Sequence, residues 1–262
     1  MSSLNHSAMP DSVVPTGRCA CAACQPIDPS TSTPQEPVSR RGLMRRALAG
    51  AAIGLIPAGA VQFPLVQTAQ AQSTMTPEQA LQAMSEGNQR FVAGQMTSFD
   101  EDLSILKQKT VDKQEPFAAV LSCADSRVPV ELIFDQSIGH VFVTRVAGNI
   151  ATAELIASLE YGVAVLGAKA IMVLGHSDCG AVKASIAAKE VPGQISNLYP
   201  YIRPAVDVAG SDVAAVTRLN VVNQVKILSE SSPVFADFIA KKNLAVVGGV
   251  YDLGSGKVEM VS

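Results

Sequence analysis

Positive charge is scarce in this sequence: 20 lysines and arginines stand against 23 acids in 262 residues, a formal net charge of -3. No basic face is available to neutralise phosphates, which argues against nucleic acid and directs attention to small molecules or proteins as partners. Charged residues of both signs reach only 16% while 48% are hydrophobic, so neither a disordered nor a collagen-like chain is indicated. Cysteine is sparse and odd in number, five in all, and a complete disulfide framework cannot be read from that count. No internal repeat and no low-complexity segment follows residue 75.

What is present begins with an address. Residues 1–38 are rich in Ser, Pro, Thr and Ala without apolar periodicity, which reads as a disordered leader. Ser39-Arg40-Arg41-Gly42-Leu43 then precedes a weakly hydrophobic run from Ala47 to Val66 and a small-x-small site at Ala69-Gln70-Ala71. Residues 39–71 resemble a twin-arginine (Tat) signal peptide, implying export by the Tat machinery to the periplasm or a lumenal space. About 20 apolar residues could instead span a bilayer, but Pro57, Pro64 and interspersed Gly and Gln weigh against an uncleaved anchor. Cys19, Cys21 and Cys24 fall in the leader, without a partner His or second cysteine pair to complete a metal site. Cleavage after Ala71 leaves residues 72–262 as a single domain holding only Cys123 and Cys179.

Along that domain the spacing predicts an amphipathic helix from Thr76-Pro77-Glu78 to Gly94, and then a polar stretch through Asp100 and Lys109. Short continuous apolar runs at 117–122, 141–144, 170–174 and 244–250 read as strands buried on both faces. A crossover helix is expected from Thr152 to Leu166, and further helices from Ser211 to Ser229 and Pro233 to Lys242. Alternating strands and helices of these lengths make the fold class α/β, with a central, mostly parallel sheet of four to five strands flanked by helices.

Chemistry concentrates at two strand ends. Cys123-Ala124-Asp125-Ser126-Arg127 follows the first strand, and His176-Ser177-Asp178-Cys179-Gly180 follows the third. Carboxyl ends of neighbouring parallel strands form a crevice at which ligands bind, so both segments can share one site. Two thiolates and an imidazole are ligands that zinc favours, with a fourth position left for water or a carboxylate, for which Asp125 is the obvious group. Arg127 can pair with Asp125 and hold that carboxylate off the metal. A helix beginning near Cys179 would lower its thiol pKa. His140 has no partner motif and reads as structural or surface, and His6 lies in the leader.

Cys-x-Asp-Ser-Arg followed by His-x-x-Cys resembles the signature of the β-class carbonic anhydrases, and the likeness runs from about Thr76 to the C-terminus. The resemblance implies zinc held by Cys123, His176 and Cys179, the dyad Asp125 and Arg127, and reversible hydration of carbon dioxide to bicarbonate and a proton by hydroxide on zinc. The open, water-on-zinc form is expected, with a closed state in which Asp125 is the fourth ligand left as the alternative, and the resemblance implies a homodimer or higher homo-oligomer with the helix from Pro77 reaching across to a neighbour. Gln114, Phe142, Tyr161 and Gly180 match substrate-pocket positions of the plant-like subtype. A second subtype carries a tryptophan for a regulatory bicarbonate pocket where this chain has Val120, and tryptophan is absent altogether. Arg145-Val146-Ala147-Gly148-Asn149 departs from plant members, which have Asn directly after the Arg. The rival readings are hydrolysis of CS2 or COS, a non-catalytic zinc- or bicarbonate-binding protein, and a thiol redox sensor using Cys123 and Cys179.

Overall fold

The computed structural model describes residues 73–98, 103–189 and 191–261. The expected leader at 1–38, the expected signal at 39–71 and Cys19, Cys21 and Cys24 lie outside the described residues. Five strands form one sheet: β1 (Ala118–Ser122), β2 (Val141–Arg145), β3 (Ala170–His176), β4 (Ala245–Tyr251) and β5 (Val258–Val261). Their order is β2-β1-β3-β4-β5, parallel throughout except for β5, which runs antiparallel to β4. Every residue of β1 and β3 is buried, which explains why these strands read as unbroken apolar runs.

Side chains alternate between two cores. Val120, Met172 and Leu174 face one layer with Met84, Ile133 and Phe134, whereas Leu121, Ile171 and Val173 face the other with Leu159, Val221, Leu228 and Phe235. The first layer is built on helix α1 (Pro77–Ala93), α2 (Leu103–Thr110) and the short α3 (Val130–Ile133) follow it in the chain, and the crossover helix α4 (Ala153–Ala164) covers the second. After β3 come α5 (Gly180–Ala187), a 3-10 turn (Ile195–Leu198), α6 (Tyr199–Ala209), α7 (Val213–Ser231) and α8 (Pro233–Ala240). Among the described residues no helix is long and apolar enough to cross a membrane.

Helix α1 starts where the sequence signals placed it: Thr76 and Gln79 form a reciprocal capping box, with Pro77 in the first turn. Its attachment is polar as well as apolar. Buried Asn88 donates to Ile133 O (3.1 Å) and Gly256 O (2.9 Å) and accepts from Val258 N–H (2.9 Å), tying α1 to the approach to β5.

Several elements differ from expectation. Part of the stretch expected to be merely polar forms α2. Helix α6 has no counterpart among the expected elements; it carries Pro200 in its first turn, where no intrahelical N–H is required, and Pro204 within it. Helix α7 is capped by Asp212 and not Ser211, since the Asp212 carboxylate accepts from the N–H groups of Ala214 (2.9 Å) and Ala215 (3.1 Å).

The strand order locates the site. From β1 the chain first adds β2 on one side and then β3 on the other, so the order reverses at β1 and a crevice opens beyond the carboxyl ends of β1 and β3.

Candidate metal centre

Cys123 immediately follows β1, His176 is the last residue of β3, and Cys179 is the residue that begins α5. The parallel pairing of β1 with β3 brings these ends together, and the two sulfurs and one imidazole nitrogen all lie within 4.8 Å of one another. All three residues are buried, and neither cysteine is in a disulfide. His176 Nδ1 lies 2.9 Å from Ser177 O and donates to it, which fixes the tautomer and leaves the Nε2 lone pair available. Nε2 is buried without a hydrogen-bond partner. An orphaned imidazole nitrogen facing two thiols is a donor set that fits zinc, and burying it without an ion to bind would cost about 1–3 kcal/mol.

The two thiols act as a pair. A hydrogen bond from Cys179, helped by His176 and by Gly148 N–H (3.3 Å from Sγ) and opposed by burial, holds the Cys123 thiol well below its ordinary range. The same shared proton, with burial, pushes Cys179 up, so here it outweighs the lowering expected from the helix N-terminus. Burial opposes the charged form of His176, but the Cys123 thiolate and then Asp125 raise its pKa.

Asp125 is gripped by Arg127 at both oxygens: Nε to Oδ1 at 2.9 Å and Nη2 to Oδ2 at 2.8 Å, with Arg127 N–H also donating to Oδ1 at 2.9 Å. This fork holds the carboxyl well below the usual carboxylate range against a smaller burial effect, so it stays ionised. Oδ2 lies 3.8 Å from His176 Nε2, on the rim of the cluster and engaged elsewhere. Arg127 is flanked in turn by Asp178 at 3.8 Å, which pairs with Lys183.

Residues 118–258 match the family model described as carbonic anhydrase. The chain belongs to the β-carbonic anhydrase family. Carbonic anhydrase 2 of Mycobacterium tuberculosis H37Rv is 36% identical over 189 residues, spanning 69% of this chain and 91% of that protein. The carbonic anhydrase of Mycolicibacterium smegmatis is 37% identical over 194 residues, 71% and 94% of the two chains. Among solved structures, a tetrameric β-carbonic anhydrase of Sordaria macrospora superposes with a TM-score of 0.55 at 28% identity, covering 58% of this chain and 84% of its own. The Coccomyxa β-carbonic anhydrase in complex with acetazolamide gives 0.55 at 29% identity over 71% and 86%.

The remaining expected residues of this carbonic anhydrase are not gathered in one place. A Cβ added to Gly180 would meet nothing within 4 Å, so open space borders the Cys179 side of the cluster. Phe142 and Tyr161 pair with each other, ring centroids 6.3 Å apart. The register sets Phe142 opposite Ala119, four residues before Cys123, so the pair stands roughly 13 Å back along the sheet from the chain's own cluster. Tyr161 is 46% exposed, and Gln114 is also exposed, in the segment leading to β1.

Sequence reasoning overlooked two contributors. Arg145, at the end of β2 and in register with Ser122, donates to Cys123 O (2.9 Å) and Asp125 O (2.5 Å), fixing the backbone that carries the Cys123 thiol and the Asp125 carboxylate. Gly148, in the segment that departs from plant members, supplies the N–H to the Cys123 sulfur. The signal for both was their place in the 145–149 segment, at and just after the end of the strand beside β1.

Proposed function

We infer that this chain is a zinc enzyme that reversibly hydrates carbon dioxide to bicarbonate and a proton, and we assign Cys123, His176 and Cys179 as the ligands of its metal. The observation that carries the assignment is the buried triad of donors with Asp125 turned onto Arg127 and away from them. When bound, zinc lowers the pKa of a coordinated water toward about 7 and so supplies hydroxide near neutral pH. Asp125, held ionised and oriented by Arg127, accepts a hydrogen bond from the attacking water and aims its lone pair. No atom stands within 4 Å of where a Cβ on Gly180 would sit, so the Cys179 side of the cluster is open to approach by carbon dioxide, and the exposed rim formed by Arg127, Asp178 and Lys183 borders solvent, to which the proton departs. Both Asp125 oxygens are held by Arg127 in the arrangement seen, so a closed state with Asp125 as fourth ligand would require it to leave Arg127. The thio-substrate, non-catalytic and redox readings gain no residue of their own here. Exchange of 18O between CO2 and water by the zinc-loaded chain tests the activity, and its loss in Asp125→Asn with zinc retained tests the dyad.

The finer reading is the plant-like subtype acting as an oligomer. Val120 in place of a tryptophan and the intact Asp125–Arg127 fork support the subtype. Because Phe142 and Tyr161 are set back from their own cluster, their service as the apolar wall for CO2, with Gln114 nearby, requires a second copy, with α1 reaching across to it. Mixing inactive His176→Ala chains with weakened Tyr161→Ala chains would then restore activity in hybrids. We also propose twin-arginine export of the precursor to the periplasm, with cleavage near Ala71; replacing Arg40 and Arg41 by Lys should retain the protein inside.

A further inference from the structure

Two buried amides on α7 lie behind the metal cluster, and no part of the mechanism above uses them. Asn220 is 1% exposed and Gln224 is fully buried, one turn apart on the same face of the helix. Asn220 Nδ2 donates to Gly148 O at 2.9 Å. Gln224 Oε1 accepts from Ala151 N–H at 2.9 Å, while its Nε2 donates to Asn220 Oδ1 at 3.1 Å and to Tyr201 O on α6 at 3.3 Å. The amides therefore clamp both ends of the 148–151 turn and brace each other.

That turn needs a clamp. Gly148 and Asn149 are consecutive residues at positive φ, 79° and 44°; glycine takes that conformation freely, but Asn149 is a non-glycine residue that its surroundings must hold there. It also carries Gly148 N–H to the Cys123 sulfur. The Gly148 N–H lies in the preceding peptide plane, joined to the carbonyl's plane through the two dihedrals of a glycine. Anchoring the carbonyl by Asn220, with Asn149 N–H held by Val146 O at 2.9 Å, holds one side of that joint and limits how far the N–H can swing from the sulfur. An added Cβ at Gly148 would come within 2.8 Å of Ile202 Cδ1, which shows how closely the turn is pressed against α6.

We propose that Asn220 and Gln224 are positioning residues for the metal centre: they aim the Gly148 N–H at the Cys123 thiolate and so set how tightly and with what ligand field the metal is held. The proposal rests on the assignment of Cys123 as a ligand. Outer-sphere hydrogen bonds of this kind typically carry 10–100-fold in metal affinity.

The test uses the full chain with Cys19, Cys21 and Cys24 replaced by Ser, so that leader thiols do not compete. Zinc affinity is measured by chelator competition, and Co2+ substitution reports the thiolate-to-metal charge-transfer band. Asn220→Ala and Asn220→Asp are compared with Leu228→Ala, a buried change two turns further along α7 in the other core. Both Asn220 variants should lose about 10–100-fold in zinc affinity and shift the band, with Asp the more severe because its carboxylate faces the Gly148 carbonyl. Leu228→Ala should lower the melting temperature and leave affinity and band unchanged. An unshifted band and unchanged affinity in the Asn220 variants, or equal losses in Leu228→Ala, would overturn the proposal. Failure of the parent chain to bind Co2+ or zinc would overturn the ligand assignment with it.

Discussion

At the scale of single residues, the three donors and the Asp125–Arg127 pair have, under the proposed zinc chemistry, two different functions that substitution can distinguish. Replacing Cys123, His176 or Cys179 by Ala should abolish stoichiometric zinc, read as metal per chain. Asp125→Asn and Arg127→Gln should keep the zinc and lose about 100-fold or more in turnover, the scale set by losing an oriented proton acceptor. Equal loss of metal in both groups would merge the functions. Away from the site, Asp135 is a fully buried carboxylate receiving Arg90 Nε (2.6 Å), Thr97 N–H and Ser98 N–H. Burial alone would raise its pKa, but Arg90 and these N–H donors outweigh it and hold the group well below the ordinary range. A carboxyl depressed by folding contributes stability that is full above the unfolded value near 4 and is lost as pH falls through the folded value. Asp135→Ala should therefore cost about 2–3 kcal/mol at neutral pH, with the gap to the parent narrowing below about pH 4 in denaturant titrations. The donor cluster of Cys123, His176 and Cys179 and the Asp125–Arg127 pair were legible in the sequence because reactive residue types stand at two strand ends. Arg145, Gly148, Asn220 and Gln224 were not, because each is an ordinary residue whose contribution comes from contacts made across the fold.

Among elements, α1 shows how far local pattern carries and where it stops. The capping box and Pro77 announced its start, and Gly94 at φ 67° ends it, but nothing in the pattern showed that Gly87 is its contact point with the domain. A Cβ on Gly87 would lie 1.8 Å from the Phe134 carbonyl oxygen, so backbone meets backbone there. In an exposed helix Gly→Ala gains up to about 1 kcal/mol; here overpacking of about 1–3 kcal/mol reverses the sign, and Gly87→Ala should lower stability in thermal or urea unfolding. A stabilised variant would show that α1 does not pack as described. Strands β1 and β3 were legible because burial on both faces leaves continuous apolar runs; β2 and β4 read the same way although they are only partly buried, and β5 was not identified because Glu259 and Met260 are exposed in a four-residue edge strand. Helices α2 and α6 were not legible: one is polar and short, and the other hides behind two prolines whose helix positions depend on where its first turn begins.

For the whole molecule, the strand order turns two distant motifs into one crevice, and the same order sets the Phe142–Tyr161 pair away from it. Light scattering should give a mass of at least two chains, as that separation requires for a complete pocket. The central claim is zinc-dependent hydration of carbon dioxide, and stopped-flow hydration by the purified chain tests it most directly. A sample with one zinc per chain is measured beside the same sample stripped by chelator and then reloaded. Hydration well above buffer that disappears on stripping and returns with zinc is the expected result; a zinc-loaded chain no faster than buffer would contradict the account.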